Sequence, residues 1–155
     1  MAGLLFGTGG SPHSAKSPST IDGIERIAEL GLGCMEMEFV QGVRMGEAGA
    51  RLVKETAVKA NVKLSAHGPY FINLNARELE KIRASQDRIL QTARIASICG
   101  AESITFHAAF YLGDPSEKAY NTVKKYLKEI MHRLKRENNR VWIRPEIMGK
   151  LSQFG

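Results

Sequence analysis

Short apolar runs alternate with longer helix-like segments along the chain, and this alternation restricts the fold more than any other feature. Each run has five to seven residues and lacks the two-residue period of a half-exposed sheet, which is typical of strands buried on both faces. Units of roughly 30 to 40 residues predict right-handed crossovers and a parallel sheet covered by helices. The predicted strands are 4–8, 34–40, 62–67, 103–107 and 141–146.

Four segments between these strands have the apolar period of a helix. The first opens on a Ser19 or Thr20 cap and stops at Gly31. In the second, Leu52 falls on the predicted buried stripe, and in the fourth Met131 does. The predicted helices are 19–31, 46–60, 76–99 and 116–138.

The alternation fits two folds, an open doubly wound sheet and a closed β/α barrel. A nucleotide-binding doubly wound sheet needs a phosphate loop after its first strand. The stretch "FGTGGSPHSAKSPST" has glycines there but lacks the G-x-G-x-x-G spacing, so we interpret them as turn residues.

Composition predicts one soluble domain spanning residues 1–155. The apolar fraction is 43% and the charged fraction 25%, and neither a membrane-length apolar run nor a signal-peptide pattern is present, so a cytoplasmic location is the expectation. Cys34 and Cys99 lack C-x-x-C spacing and are expected to be buried free thiols. The net charge of +6 is compatible with a polyanionic partner such as nucleic acid.

Three successive predicted strands end in a side chain that can bind a metal ion: His67, His107 and Glu146. Their near-equal spacing matches the strand–helix unit, so they should lie at one edge of the sheet, where parallel β/α enzymes build their sites. Two histidines and a glutamate with an open fourth position form a catalytic zinc pattern. Taken singly, each residue is also compatible with an ordinary hydrogen-bonded polar side chain. His13 and His132 are predicted to be solvent-exposed.

Several blocks, in order, resemble the N-terminal part of the endonuclease IV family of zinc-dependent apurinic/apyrimidinic endonucleases. They are "FGTGG", "AHGPYFINL", "ELEKIR", "ITFHAAF" and "RPEIMGKLSQFG". The resemblance implies an α/β fold that is a partial (β/α)8 TIM barrel, with about five parallel strands and four helices, open rather than closed. It further implies that three more strands, bringing the remaining ligands of a three-zinc site, would complete the barrel.

The resemblance assigns a role to five positions. His67, His107 and Glu146 match the ligands of the family's first zinc, and Glu146, as a catalytic residue, would also bridge to a second ion. Tyr70 and Arg44 match residues that face DNA. The implied activity is hydrolysis of the phosphodiester 5′ to an abasic site in double-stranded DNA. This portion is expected to bind one zinc ion, with Mn²⁺ or Mg²⁺ as alternatives, and to have little activity alone.

Two other functions remain open from the sequence. One is a sugar isomerase or epimerase built on a related metal-dependent TIM barrel. The other is a non-catalytic metal- or DNA-binding module that a partner chain completes. An open barrel should expose an apolar interior and two unpaired edge strands, so self-association is also expected.

Overall fold

The computed structural model describes residues 3–155 and contains a five-stranded, fully parallel sheet whose strands follow chain order, β1-β2-β3-β4-β5. A helix connects each strand to the next, which confirms the predicted α/β class and the open, partial barrel. The elements are β1 (Gly7–Gly9), α1 (Thr20–Glu29), β2 (Cys34–Glu38), α2 (Glu47–Ala60), β3 (Lys63–His67), α3 (Leu79–Ile98), β4 (Ser103–Phe106), α4 (Ser116–Arg136) and β5 (Trp142–Pro145).

The helices pack on one face of the sheet and begin and end at local signals in the sequence. Ser19 caps α1, because its side chain accepts a hydrogen bond from the Asp22 backbone at 3.1 Å. At the end of α2, Asn61 adopts a left-handed conformation with φ 54°. None of the helices in residues 3–155 is long and apolar enough to cross a membrane.

The buried stripes of α2 and α4 differ from the predicted ones at two positions. Leu52 is 53% exposed and Met131 is 57% exposed, whereas Val53 and Ile130 beside them are buried. Each predicted stripe included one residue too many. Val53 and Ile130 face the sheet, and Leu52 and Met131 next to them face away from it.

The first strand lies later in the chain than predicted. β1 is confined to Gly7–Gly9, and the apolar residues 4–6 before it are exposed. A Cβ atom on Gly7 would collide with the Cys34 carbonyl, so β1 can approach β2 closely only with glycine there. Gly10 has φ 76° and donates a backbone hydrogen bond to Glu36, which confirms that this glycine serves a turn.

The second face of the sheet is polar, which corrects the expectation of an apolar interior. In β2, Met35 and Met37 are buried under the helices, while Glu36 and Glu38 alternate with them on the opposite face. Alternation and register place on this inner face, besides the two glutamates, Lys63, Ser65, Thr105, Trp142 and Arg144. Trp142 is the large apolar side chain in this set and is 68% exposed.

Candidate metal centre at the carboxyl edge of the sheet

The three predicted metal ligands follow one another along one edge of the sheet. His67 is the last residue of β3, His107 comes directly after β4, and Glu146 comes directly after β5. These strands are neighbours, and backbone hydrogen bonds from Gly68 to Thr105 and from Glu146 to Phe106 continue the pairing to the tips. The near-equal spacing in sequence therefore becomes proximity in space.

The side chains of these three residues converge on one point. One oxygen of Glu146, Oε2, lies 3.3 Å from His67 Nε2 and 3.1 Å from His107 Nε2. The two imidazole rings are nearly perpendicular, with centroids 5.1 Å apart. One candidate ligand atom from each residue falls within 4.8 Å of the other two, so a single cation can contact all three.

The orientation of His67 suits metal binding. Its Nδ1 lies 2.8 Å from the Gly68 carbonyl oxygen, and because a carbonyl only accepts, Nδ1 carries the hydrogen of the neutral ring. In the neutral ring, Nε2 is the nitrogen without a hydrogen, and it points toward Glu146, where a cation would bind. His67 is buried, whereas the Glu146 side chain is 42% exposed, which leaves one side of the site open. The donor set and the tautomer both fit a divalent metal ion.

Tyr70 and Arg44 occupy loops at the same edge. The Tyr70 ring is 5.4 Å from the His107 ring and 5.8 Å from the His67 ring, yet the residue is 53% exposed. It therefore offers an aromatic surface beside the candidate ligands. Arg44 lies between β2 and α2 with an exposed side chain, and its guanidinium is 3.4 Å from Gln41 Oε1.

Sequence reasoning overlooked Glu38, the last residue of β2. Glu38 is paired in register with His67, so both side chains lie on the inner face at the same level. Partial burial raises the pKa of the Glu38 carboxyl; His67 opposes this effect, and the charges of Glu36 and Glu146 add to it. The alternation of methionine and glutamate in "CMEME" was the signal that could have identified it.

Sequence reasoning also overlooked a cluster that ties the loop after β3 to the loop after β4. Asn73 Oδ1 accepts hydrogen bonds from the backbone of Asn75 and Phe110, and Asn75 Nδ2 donates to the Phe110 and Tyr111 carbonyls. Asp114 accepts from the side chains of Asn75, Arg77 and Lys118. We call these five residues, Asn73, Asn75, Arg77, Asp114 and Lys118, the loop lock. It holds the segments that carry Tyr70 and His107.

The remaining histidines and the cysteines lie elsewhere. His13 and His132 are exposed, as predicted. Both cysteines are free thiols; Cys99 is buried, whereas Cys34 is only half-buried, contrary to expectation, because it lies on the open inner face. Burial raises the pKa of the Cys99 thiol to about 11, which makes it a poor nucleophile.

A curated relative of this chain is an uncharacterized protein of Methanocaldococcus jannaschii. The two are 41% identical over 152 residues, which cover 98% of this chain and 54% of the relative. The chain thus spans about half the length of the curated relative it matches.

Solved structures of two kinds of enzyme share the fold. D-psicose 3-epimerase from Clostridium cellulolyticum superposes with a TM-score of 0.75 at 12% identity, over 94% of this chain and 54% of the epimerase. Endonuclease IV from Thermus thermophilus superposes with a TM-score of 0.68 at 17% identity, over 95% of this chain and 54% of the endonuclease. A family model described as xylose isomerase-like TIM barrel matches residues 24–155. The chain therefore belongs to the family of xylose isomerase-like TIM barrels.

Proposed function

We propose that this chain is part of a zinc-dependent, endonuclease IV-like DNA repair enzyme that hydrolyses the phosphodiester 5′ to abasic sites. The observation that carries the proposal is the convergence of His67, His107 and Glu146 at the carboxyl edge of a parallel sheet. Enzymes of this architecture build their active sites at that edge. The ordered sequence blocks that resemble the endonuclease IV family support the choice among metal-dependent reactions.

The donor set favours zinc over the harder divalent ions. Imidazole nitrogen suits Zn²⁺, whereas Mg²⁺ and Mn²⁺ prefer carboxylate, carbonyl and water oxygen. Here two of the three donors are imidazoles, His67 and His107, and one is a carboxylate. Mn²⁺ and Mg²⁺ are therefore the alternatives rather than the expected ions.

The side chains have separate tasks in the proposed reaction. A bound zinc ion would supply a Lewis acid that polarises a phosphoryl oxygen and makes water more acidic. His67 presents Nε2 because its Nδ1 is held by the Gly68 carbonyl, and Glu146 contributes the negative charge that the two neutral rings lack. The exposed side of Glu146 leaves room for a phosphate group, and for the second ion that the residue is proposed to bridge.

DNA would approach across the loops that carry Tyr70 and Arg44. The half-exposed Tyr70 ring can pack against a sugar or an unstacked base beside the ligands, and the Arg44 guanidinium can contact a phosphate. The net charge of +6 favours the approach of a polyanion. We propose double-stranded DNA with abasic sites as the partner.

A sugar epimerase is the second candidate, because D-psicose 3-epimerase shares the fold. At 12% identity this likeness concerns the fold alone. The paired imidazoles argue for the nuclease, since they select a softer ion than sugar isomerisation on a carboxylate-rich site would use. The third candidate function is a non-catalytic metal- or DNA-binding module that a partner chain completes.

The test compares this chain with its longer Methanocaldococcus jannaschii relative on a duplex that contains one abasic-site analogue. We expect the relative to cut on the 5′ side of the lesion and to lose that activity when a chelator removes its metal. The 155-residue chain should cut little or not at all, because the further metal ligands are expected from the rest of the barrel. Conversion of D-fructose to D-psicose by the relative, without cleavage, would contradict the proposal and favour the epimerase.

A further inference from the structure

Glu38 lies beside the candidate metal centre without belonging to the three converging side chains. It ends β2, the strand next to β3, and is the register partner of His67. Register partners in a parallel pair are about 4.8 Å apart, and their side chains lie on the same face. The buried Met37 before it points toward the helices, so Glu38 must point to the inner face.

Two glycines, the last residue of β1 and the residue after it, leave space for the Glu38 side chain. A Cβ atom on Gly9 would lie 3.4 Å from Glu38 Oε1, and one on Gly10 would lie 3.3 Å from Glu38 Cγ. A Cβ atom at position 10 would crowd the Glu38 side chain, and one at position 9 would lie in contact with it. The turn thus accommodates this side chain beside His67.

The Glu38 carboxylate has no hydrogen-bond donor within residues 3–155, and the influences on its proton affinity are burial and the charges of His67, Glu36 and Glu146. Glu36, two residues earlier on the same face, differs because Ser65 Oγ lies 3.4 Å from its Oε2. Among the described residues, Glu38 is therefore a carboxyl group without a hydrogen-bond donor, next to a group of side chains that can hold a cation.

Charge balance explains what such a carboxylate can do. Two neutral imidazoles and one carboxylate leave a divalent ion with a net charge of +1, and a second carboxylate nearby would neutralise it. We propose that Glu38 is a positioning residue of the metal centre, which raises the affinity for a divalent cation through its charge and its place beside His67, without ligating the ion. This inference rests on the proposed metal site.

The experiment is a Zn²⁺ titration against a chromophoric chelator, with the 155-residue chain, Glu38→Gln, Glu38→Asp and Glu36→Gln. We expect Glu38→Gln to weaken Zn²⁺ binding roughly tenfold, because the substitution removes a negative charge close to the ion. Glu38→Asp keeps the charge and should stay within about threefold of the parent chain. Glu36→Gln is the matched control and should change the affinity less than about threefold, because its charge lies one level further from the tips.

Two further measurements separate charge from folding. Thermal unfolding of the metal-free variants should give similar midpoints, and added salt should shrink the difference between the parent chain and Glu38→Gln. If Glu38→Gln binds Zn²⁺ as tightly as the parent chain, or if Glu36→Gln weakens binding equally, the role of Glu38 is wrong and the metal site stands. If the parent chain binds no Zn²⁺, the metal site and the inference both fail.

Discussion

Asp114 is the carboxylate of the loop lock, and its pKa lies well below its ordinary value. The hydrogen bond from Lys118, followed by those from Arg77 and Asn75, lowers its pKa to about 2, although burial of the carboxyl opposes this effect. Because the folded-state pKa lies below the unfolded value of about 3.9, Asp114 stabilises the fold fully above that value. The stabilisation is lost as the pH falls through the folded pKa.

We therefore predict that Asp114→Asn makes the free energy of unfolding less dependent on pH under acidic conditions. Between about pH 4 and pH 2, the free energy of unfolding of the parent chain should fall more steeply with decreasing pH than that of the variant. Urea denaturation at a series of pH values measures both slopes. Parallel slopes would show that Asp114 is not held as an anion by these partners.

The candidate metal ligands could be predicted from the sequence, because the position of a residue along a parallel strand determines its place at the edge of the sheet. His67, His107 and Glu146 end consecutive strands at near-equal spacing, and the structure brings them together. Glu38 and Asn75 were overlooked, because their contacts depend on register and on two loops that are distant in sequence. The spacing of residues along the chain gives no sign of such contacts.

At the scale of elements, Asn75 is one of the buried side chains that join the loops after β3 and β4. This side chain is 4% exposed, and its amide nitrogen lies 3.0 Å from the Phe110 carbonyl and 3.3 Å from the Tyr111 carbonyl. Asn75→Ala would leave these carbonyls short of a donor, so we predict a loss of about 2 kcal/mol in the free energy of unfolding.

Urea denaturation of Asn75→Ala and of an Asn121→Ala control measures that loss. Asn121 is exposed on α4, and its substitution should change the free energy of unfolding by less than about 0.5 kcal/mol. Equal effects of the two substitutions would mean that Asn75 does not join the loops.

The order and type of the elements could be predicted from the sequence, whereas the polarity of the inner face of the sheet could not. The helix-to-strand alternation and the Ser19 cap are local signals, so α1 to α4 were identified. In β2 the side chains of Glu36 and Glu38 lie on the inner face, which none of the four helices described in residues 3–155 covers. The local sequence signals show that β2 is a strand but do not show which of its two faces the helices cover. The expectation of an apolar interior was therefore wrong.

At the scale of the chain, residues 3–155 form an open sheet whose edge strands, β1 and β5, each pair on one side within these residues. Before β1, Leu4 is 82% and Phe6 67% exposed; in β5, Trp142 is 68% exposed, and after β5, Ile147 is 81% exposed. In a closed barrel these edges would be paired. Self-association through these edges stays a prediction. Because the inner face of the sheet is polar, we expect two copies of the chain to associate through the edge strands and not through this face.

Metal content of the purified 155-residue chain tests the central claim most directly. After exposure to Zn²⁺ and gel filtration, elemental mass spectrometry of the chain should find about one zinc ion, as a site with three protein ligands and an open position predicts. A His67→Ala, His107→Ala double variant, treated identically, should hold none. Zinc absent from the parent chain, or retained equally by the double variant, would contradict the claim that these strand tips form a metal centre.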